Sequence, residues 1–158
     1  MNNFTVCLFG HREINDLRKL NNGICAVINE LMHEKEHLTF LIGRSGEFDE
    51  FATSVIKYRQ RVLGKDKSDL ILVLAYATKA MERYEEYYDD IIIPDCLYHA
   101  HPKAMITLRN RWMIEHSDLV IVYVDRKKGG AYSAMCYAQR LNKRVVNLFE
   151  QESIYPQE

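Results

Sequence analysis

Gly10-His11-Arg12-Glu13, Gly43-Arg44-Ser45-Gly46-Glu47 and Gly129-Gly130-Ala131 gather the residue types that hold a phosphorylated small molecule. Glycine lets backbone amides approach an anion, while arginine, histidine and serine donate to phosphate or to a ribose hydroxyl. In the first group Gly10 gives a sharp exit and His11 and Arg12 are the donors; the plainer alternative is a surface turn paired with Glu13. In the second, Gly43 and Gly46 flank Arg44 and Ser45 ahead of Glu47 and Asp49. Those two acids are either helix caps or carboxylates for chemistry at an anomeric carbon. In the third, Gly129 and Gly130 precede Ser133, and a helix N-terminus there completes an anion site. Arg126, Lys127 and Lys128 just upstream attract an anion or simply solvate a loop.

These groups need elements to position them, and each follows a short apolar run. Phe4 to Phe9, Leu38 to Ile42 and Leu119 to Val124 read as buried strands, as do Leu70 to Ala75 and Arg144 to Phe149. Between them, Leu17, Leu20, Ile24, Val27, Ile28 and Leu31 keep three- and four-residue steps, and Phe48 to Ile56 resumes them. Thr78 to Asp90, with Tyr84, Tyr87 and Tyr88 among acids, reads as a helix, and Ile91-Ile92-Ile93-Pro94 as a short edge strand. Pro102 fits the first turn of a helix running to about His116, and another spans Gly129 to about Leu141. Helices between buried strands require crossovers and a parallel sheet covered on both faces. The expectation is one domain over residues 1–158, a three-layer α/β fold of Rossmann type with a mainly parallel sheet of about five strands. If Phe4 to Phe9 is central, the three loops meet where strand order reverses.

The chain has 158 residues, 47% of them hydrophobic, and a formal charge of −1. That is ample for one core. The charge argues against duplex nucleic acid as a partner and for a nucleotide-like small molecule. A polar Met1-Asn2-Asn3 start and the lack of an apolar stretch near the ~20 residues of a bilayer span point to a cytoplasmic protein without a membrane partner. Cys7, Cys25, Cys96 and Cys136 show no Cys-x-x-Cys pair and read as reduced. Cys96, His99 and His101 offer soft ligands but no fourth, so neither a metal site nor a cofactor is expected. The tyrosine-rich acidic segment is compatible with a homo-oligomer surface.

Taken in order, Phe9-Gly10-His11-Arg12, Ile42 to Asp49, Arg109-Asn110-Arg111-Trp112-Met113, Ser117 to Ile121 and Gly129-Gly130-Ala131 resemble the SLOG superfamily. That Rossmann-like group includes the LOG proteins and the DNA-processing protein DprA. The resemblance covers nearly the whole chain and is strongest to a small bacterial branch of DUF1273/YpsA-like proteins. It implies a nucleotide-derived ligand, and it adds Arg109 and Asn110 to the ligand-binding candidates; the bland alternative is that they solvate a helix face or pair with Glu115. LOG enzymes cleave an N-glycosidic bond with a Pro-Gly-Gly-x-Gly-Thr-x-x-Glu motif. Here Lys128 replaces the proline, Tyr132 the third glycine, Ser133 the threonine and Cys136 the glutamate.

The expected function is therefore binding or sensing of a nucleotide or nucleotide-derived small molecule at the carboxyl edge of the sheet. The alternative is an N-glycosidic bond hydrolase or transferase, with Glu47 or Asp49 as catalytic carboxylate. A DNA-related role by analogy with DprA ranks below both, because Tyr84, Tyr87 and Tyr88 sit among acids that repel phosphate.

Overall fold

Apolar runs that must be buried on both faces become parallel strands, and the computed structural model, which describes residues 3–151, has six of them in one sheet. They are β1 (Asn3–Gly10), β2 (His37–Ile42), β3 (Ser68–Val73), β4 (Asp90–Ile92), β5 (Leu119–Tyr123) and β6 (Arg144–Asn147). The order is β4-β3-β2-β1-β5-β6, and every pairing is parallel. The sheet expected to hold about five strands has six and is parallel throughout. The sixth is β4, a three-residue edge that pairs Ile71 with Asp90 and ends before Pro94. It is the short edge strand expected at Ile91-Ile92-Ile93-Pro94, beginning one residue earlier.

Five α-helices cover the sheet: α1 (Leu17–Glu34), α2 (Glu47–Leu63), α3 (Met81–Tyr87), α4 (Met105–Glu115) and α5 (Gly130–Arg140). Alternation along the strands divides the core. Val6 and Leu8 of β1 face one layer with Leu20, Ile24 and Ile28 of α1 and Phe48 and Ile56 of α2. Cys7 and Phe9 face the other, with Met113 of α4 and Ala131, Ala134 and Ala138 of α5. Helix α1 starts where the Asp16 carboxylate accepts from the Lys19 amide at 3.0 Å, a side-chain N-cap. Pro102 opens a 3-10 turn over Pro102–Ala104, and the α-helix proper begins only at Met105. The helix then runs unbroken through Arg109-Asn110-Arg111.

Strand β1 is the centre of the design. It pairs with β2 on one side and β5 on the other, so chain order reverses across it. Parallel pairing puts the carboxyl ends of these three strands on one sheet edge. The loops after Gly10, Ile42 and Tyr123 share that edge.

Candidate functional site

The first two loops are locked together. The Arg12 carbonyl accepts from the Glu47 amide at 2.9 Å, and the Glu47 carboxylate accepts from the Ile14 amide at 3.1 Å. A Cβ on Gly46 would stand 2.6 Å from the Arg12 Cα, and a Cβ on Gly10 would fall inside the Phe48 ring. Both glycines therefore serve close packing. Asp49 is buried and accepts from the Ser45 amide at 2.8 Å, reaching back over the start of α2 as a capping residue does. Burial pushes the Asp49 carboxyl up from its ordinary range, against the Ser45 hydrogen bond and the Arg109 charge. Glu47 and Asp49, the candidate catalytic carboxylates, are thus engaged with backbone amides. The start of α2, with Glu47, Asp49 and Glu50 in its first turn, carries negative charge where an anion would sit.

Arg109 is the charged group that reaches the second loop. Only 6% exposed, it donates through Nε and Nη2 to the Asn110 side-chain oxygen at 3.1 and 2.8 Å, and through Nη2 to the Ser45 hydroxyl at 3.2 Å. Its guanidinium lies over Gly43, where a Cβ would stand 2.7 Å from Nη1. Burial lowers the Arg109 pKa, and the charges of Asp49 and Tyr76 oppose that shift. Nη1 makes no hydrogen bond among the described residues, so the guanidinium keeps a donor for an anion. Arg44 turns the other way. It donates to the Tyr88 hydroxyl at 3.3 Å and sits 4.9 Å above the Tyr84 ring, away from the other two loops.

The third loop is the open one. Gly129 has φ 93°, the left-handed region that favours glycine, and it caps α5. A Cβ on Gly130 would meet nothing within 4 Å. The first turn of α5 holds no acid, and among the described residues no partner takes the Gly130, Ala131 or Tyr132 amides. Ser133 is exposed, with its amide bonded to the Gly129 carbonyl at 3.1 Å. Beside this turn lies His11, 5% exposed, with Nε2 3.3 Å from both the Asp125 amide and the Asp125 carboxylate. Desolvation and the Arg126 charge lower the His11 pKa, with Asp125 opposing. Arg12, Lys127 and Lys128 are exposed around the same mouth.

The structure therefore brings Gly10, His11, Arg12, Gly43, Ser45, Gly46, Arg109, Asn110, Gly129 and Gly130 to one edge and sends Arg44 elsewhere. Asp125 escaped the sequence reading, although its place directly after a fully buried run was a usable signal. Among the described residues no three His, Cys, Asp or Glu side chains are grouped to hold a metal, and no helix is long and apolar enough to cross a membrane.

No protein-family model and no curated protein matches the sequence. Solved structures do. The DNA processing protein A (DprA) of Streptococcus pneumoniae is similar with a TM-score of 0.62 at 18% identity, over 90% of this chain and 49% of its own. DprA of Helicobacter pylori, described for its single-stranded DNA binding mode, gives 0.59 at 20%, over 91% of this chain and 64% of its own. The protein TM1055 gives 0.56 at 12%, over 90% and 72%. This chain spans about half of the first of these proteins.

These neighbours correct the expectation about partners. The near-neutral charge suggested a small molecule and no duplex nucleic acid, yet a protein of this fold is described with single-stranded DNA. Net charge was the wrong guide, because single strands are held by a local groove and stacking and need no basic surface overall. With the strand order and the edge loops, the likenesses show that this chain has a Rossmann-like α/β fold similar to those of DprA and TM1055.

Proposed function

We propose that the chain binds a nucleotide unit at the carboxyl edge of the sheet, with its phosphate on the amides that open α5. The observation that carries this reading is the contrast between two helix starts. The start of α2 carries three acids, and its Ser45 and Glu47 amides are taken by Asp49 and Arg12, whereas α5 begins with Gly129-Gly130, unpaired amides and no acid. Arg109 and Arg12 supply charge from the neighbouring loops. Tyr76, 56% exposed just beyond β3, offers a ring to the base near Arg109. The unit is either a free nucleotide or part of a single strand, the second being supported by the description of H. pylori DprA. The sequence resemblance supports the DUF1273/YpsA-like branch, and with it a bacterial, cytoplasmic, single-domain protein. The glycosidic-bond reading is the weaker one, because Glu47 and Asp49 both accept from backbone amides.

Gly130→Ala tests the proposal. Its methyl meets open space, so the fold tolerates it, but it stands in the path of a phosphate. Calorimetry with nucleoside monophosphates, NAD, ADP-ribose and a short oligothymidylate is expected to show binding that Gly130→Ala weakens at least about tenfold, since hydrogen bonds to a charged group are the ones lost. Equal binding by the variant overturns the site, and base release that disappears in Glu47→Gln replaces binding with catalysis.

A further inference from the structure

His11 is a buried candidate residue with one ring nitrogen that the packing of the loops leaves unpartnered. Its ring is almost wholly buried, yet Nδ1 has no hydrogen-bond partner among the described residues. That nitrogen lies 4.0 Å from where a Cβ would stand on Gly129. The Asp125 Oδ1, also unpartnered among the described residues, is closed off from solvent and Nδ1 is not, so Nδ1 is the ring nitrogen that a bound group can reach. The open turn of α5 is the place from which such a group would reach it.

The opposite side of the ring fixes the tautomer. The Asp125 amide can only donate and does so to Nε2, while the Asp125 Oδ1 at 3.3 Å from the same atom makes no hydrogen bond among the described residues; Nε2 is therefore the acceptor, and in a neutral imidazole the proton resides on Nδ1. Desolvation and the Arg126 charge favour the neutral ring, with Asp125 opposing. Charged groups reach it from the loop after β5, namely Asp125 and Arg126; from α2, Gly46 and Glu47 meet Arg12 and Ile14 instead.

We infer that His11 is a ligand contact of the Gly129–Gly130 turn, donating from Nδ1–H to an anionic oxygen, with Asp125 as the positioning residue that orients the ring. This rests on the phosphate site proposed above and adds a side-chain donor to its amides. The chemical consequence is a preference for a doubly charged phosphate oxygen, which accepts from the imidazole, over a neutral ligand that lacks the acceptor.

The test is nitrogen-detected NMR of the His11 imidazole in the full chain, with AMP as the probe and the Gly129 and Gly130 amides as reporters. The expected result is a neutral Nδ1–H tautomer at pH 7, with His11 and both glycine amides shifting on addition of AMP. An Nε2–H tautomer overturns the inference, as do glycine amides that shift while His11 stays silent. Silence at all three positions overturns the phosphate site itself. Two variants separate donation from packing. Asparagine places an amide near Nδ1 and glutamine near Nε2, so His11→Gln is expected to lose about tenfold in AMP affinity while His11→Asn retains most of it. Equal affinities for wild type and His11→Gln also overturn the inference.

Discussion

At the scale of single residues, one type does opposite jobs. Gly10 and Gly46 are glycines because the Phe48 ring and the Arg12 backbone occupy the space of their Cβ atoms, whereas nothing occupies that space at Gly130. The sequence made all three legible as loop glycines. What a Cβ would meet is a property of the packed chain, so their division into close-packed and open positions was not. Gly10→Ala is expected to destabilise the fold by about 1–3 kcal/mol through overpacking, while Gly130→Ala leaves it unchanged or slightly firmer, as alanine favours helix. Urea midpoints of the two variants check the contrast. His11 adds a pH effect. Its native pKa lies below 6.5, so as pH falls the unfolded chain takes up a proton before the native one does. The stability it contributes is full above about 6.5 and is lost as pH falls through the native value, with a slope of at most about 1.4 kcal/mol per pH unit. Urea denaturation at pH 7.5 and 5.5 is expected to show a larger loss in wild type than in His11→Asn.

At the scale of elements, the strand ends and helix starts decide which loop is free. The apolar runs marked β1, β2, β3 and β5 well, because both faces of a parallel strand are buried and the pattern is continuous. The roles of the helix starts were less legible. Glu47 and Asp49 read more readily as caps than as catalytic acids, and the backbone amides they accept from, Ile14 and Ser45, are visible only in the packed chain. The direction Arg44 takes was not legible for a similar reason: its neighbours in space, Tyr84 and Tyr88, lie some forty residues on, in a segment whose packing no local pattern reveals. If Glu47 serves only to hold the first loop, Glu47→Ala frees the Ile14 amide and costs about 1 kcal/mol, with nucleotide affinity changing less than about twofold. Paired denaturation and calorimetry measure both, and a large loss of affinity at unchanged stability would move Glu47 back into the site.

At the scale of the whole molecule, the reversal of strand order across β1 makes a site of three loops that are distant in sequence. That much followed from the alternation of strands and helices. Net charge says little about a partner, because a value of −1 averages the acidic first turn of α2 and the acidic α3 against the exposed cations Arg12, Lys127 and Lys128. Local and total charge make different predictions for a single strand. If total charge governed, an oligothymidylate would bind poorly and with little dependence on salt. If the mouth governs, about three cations meet phosphates, and the slope of log affinity against log salt for a single strand is about −0.7 for each, or about −2 in all. Raising salt from about 50 to 200 mM should then weaken binding roughly twentyfold, and Lys127→Ala should make the slope shallower by about 0.7 without altering the fold. Fluorescence anisotropy across that range decides it. A slope near zero would leave the strand's phosphates unread and would confine the proposed site to a free nucleotide, while a slope much steeper than about −4 would require a basic surface that this chain does not have.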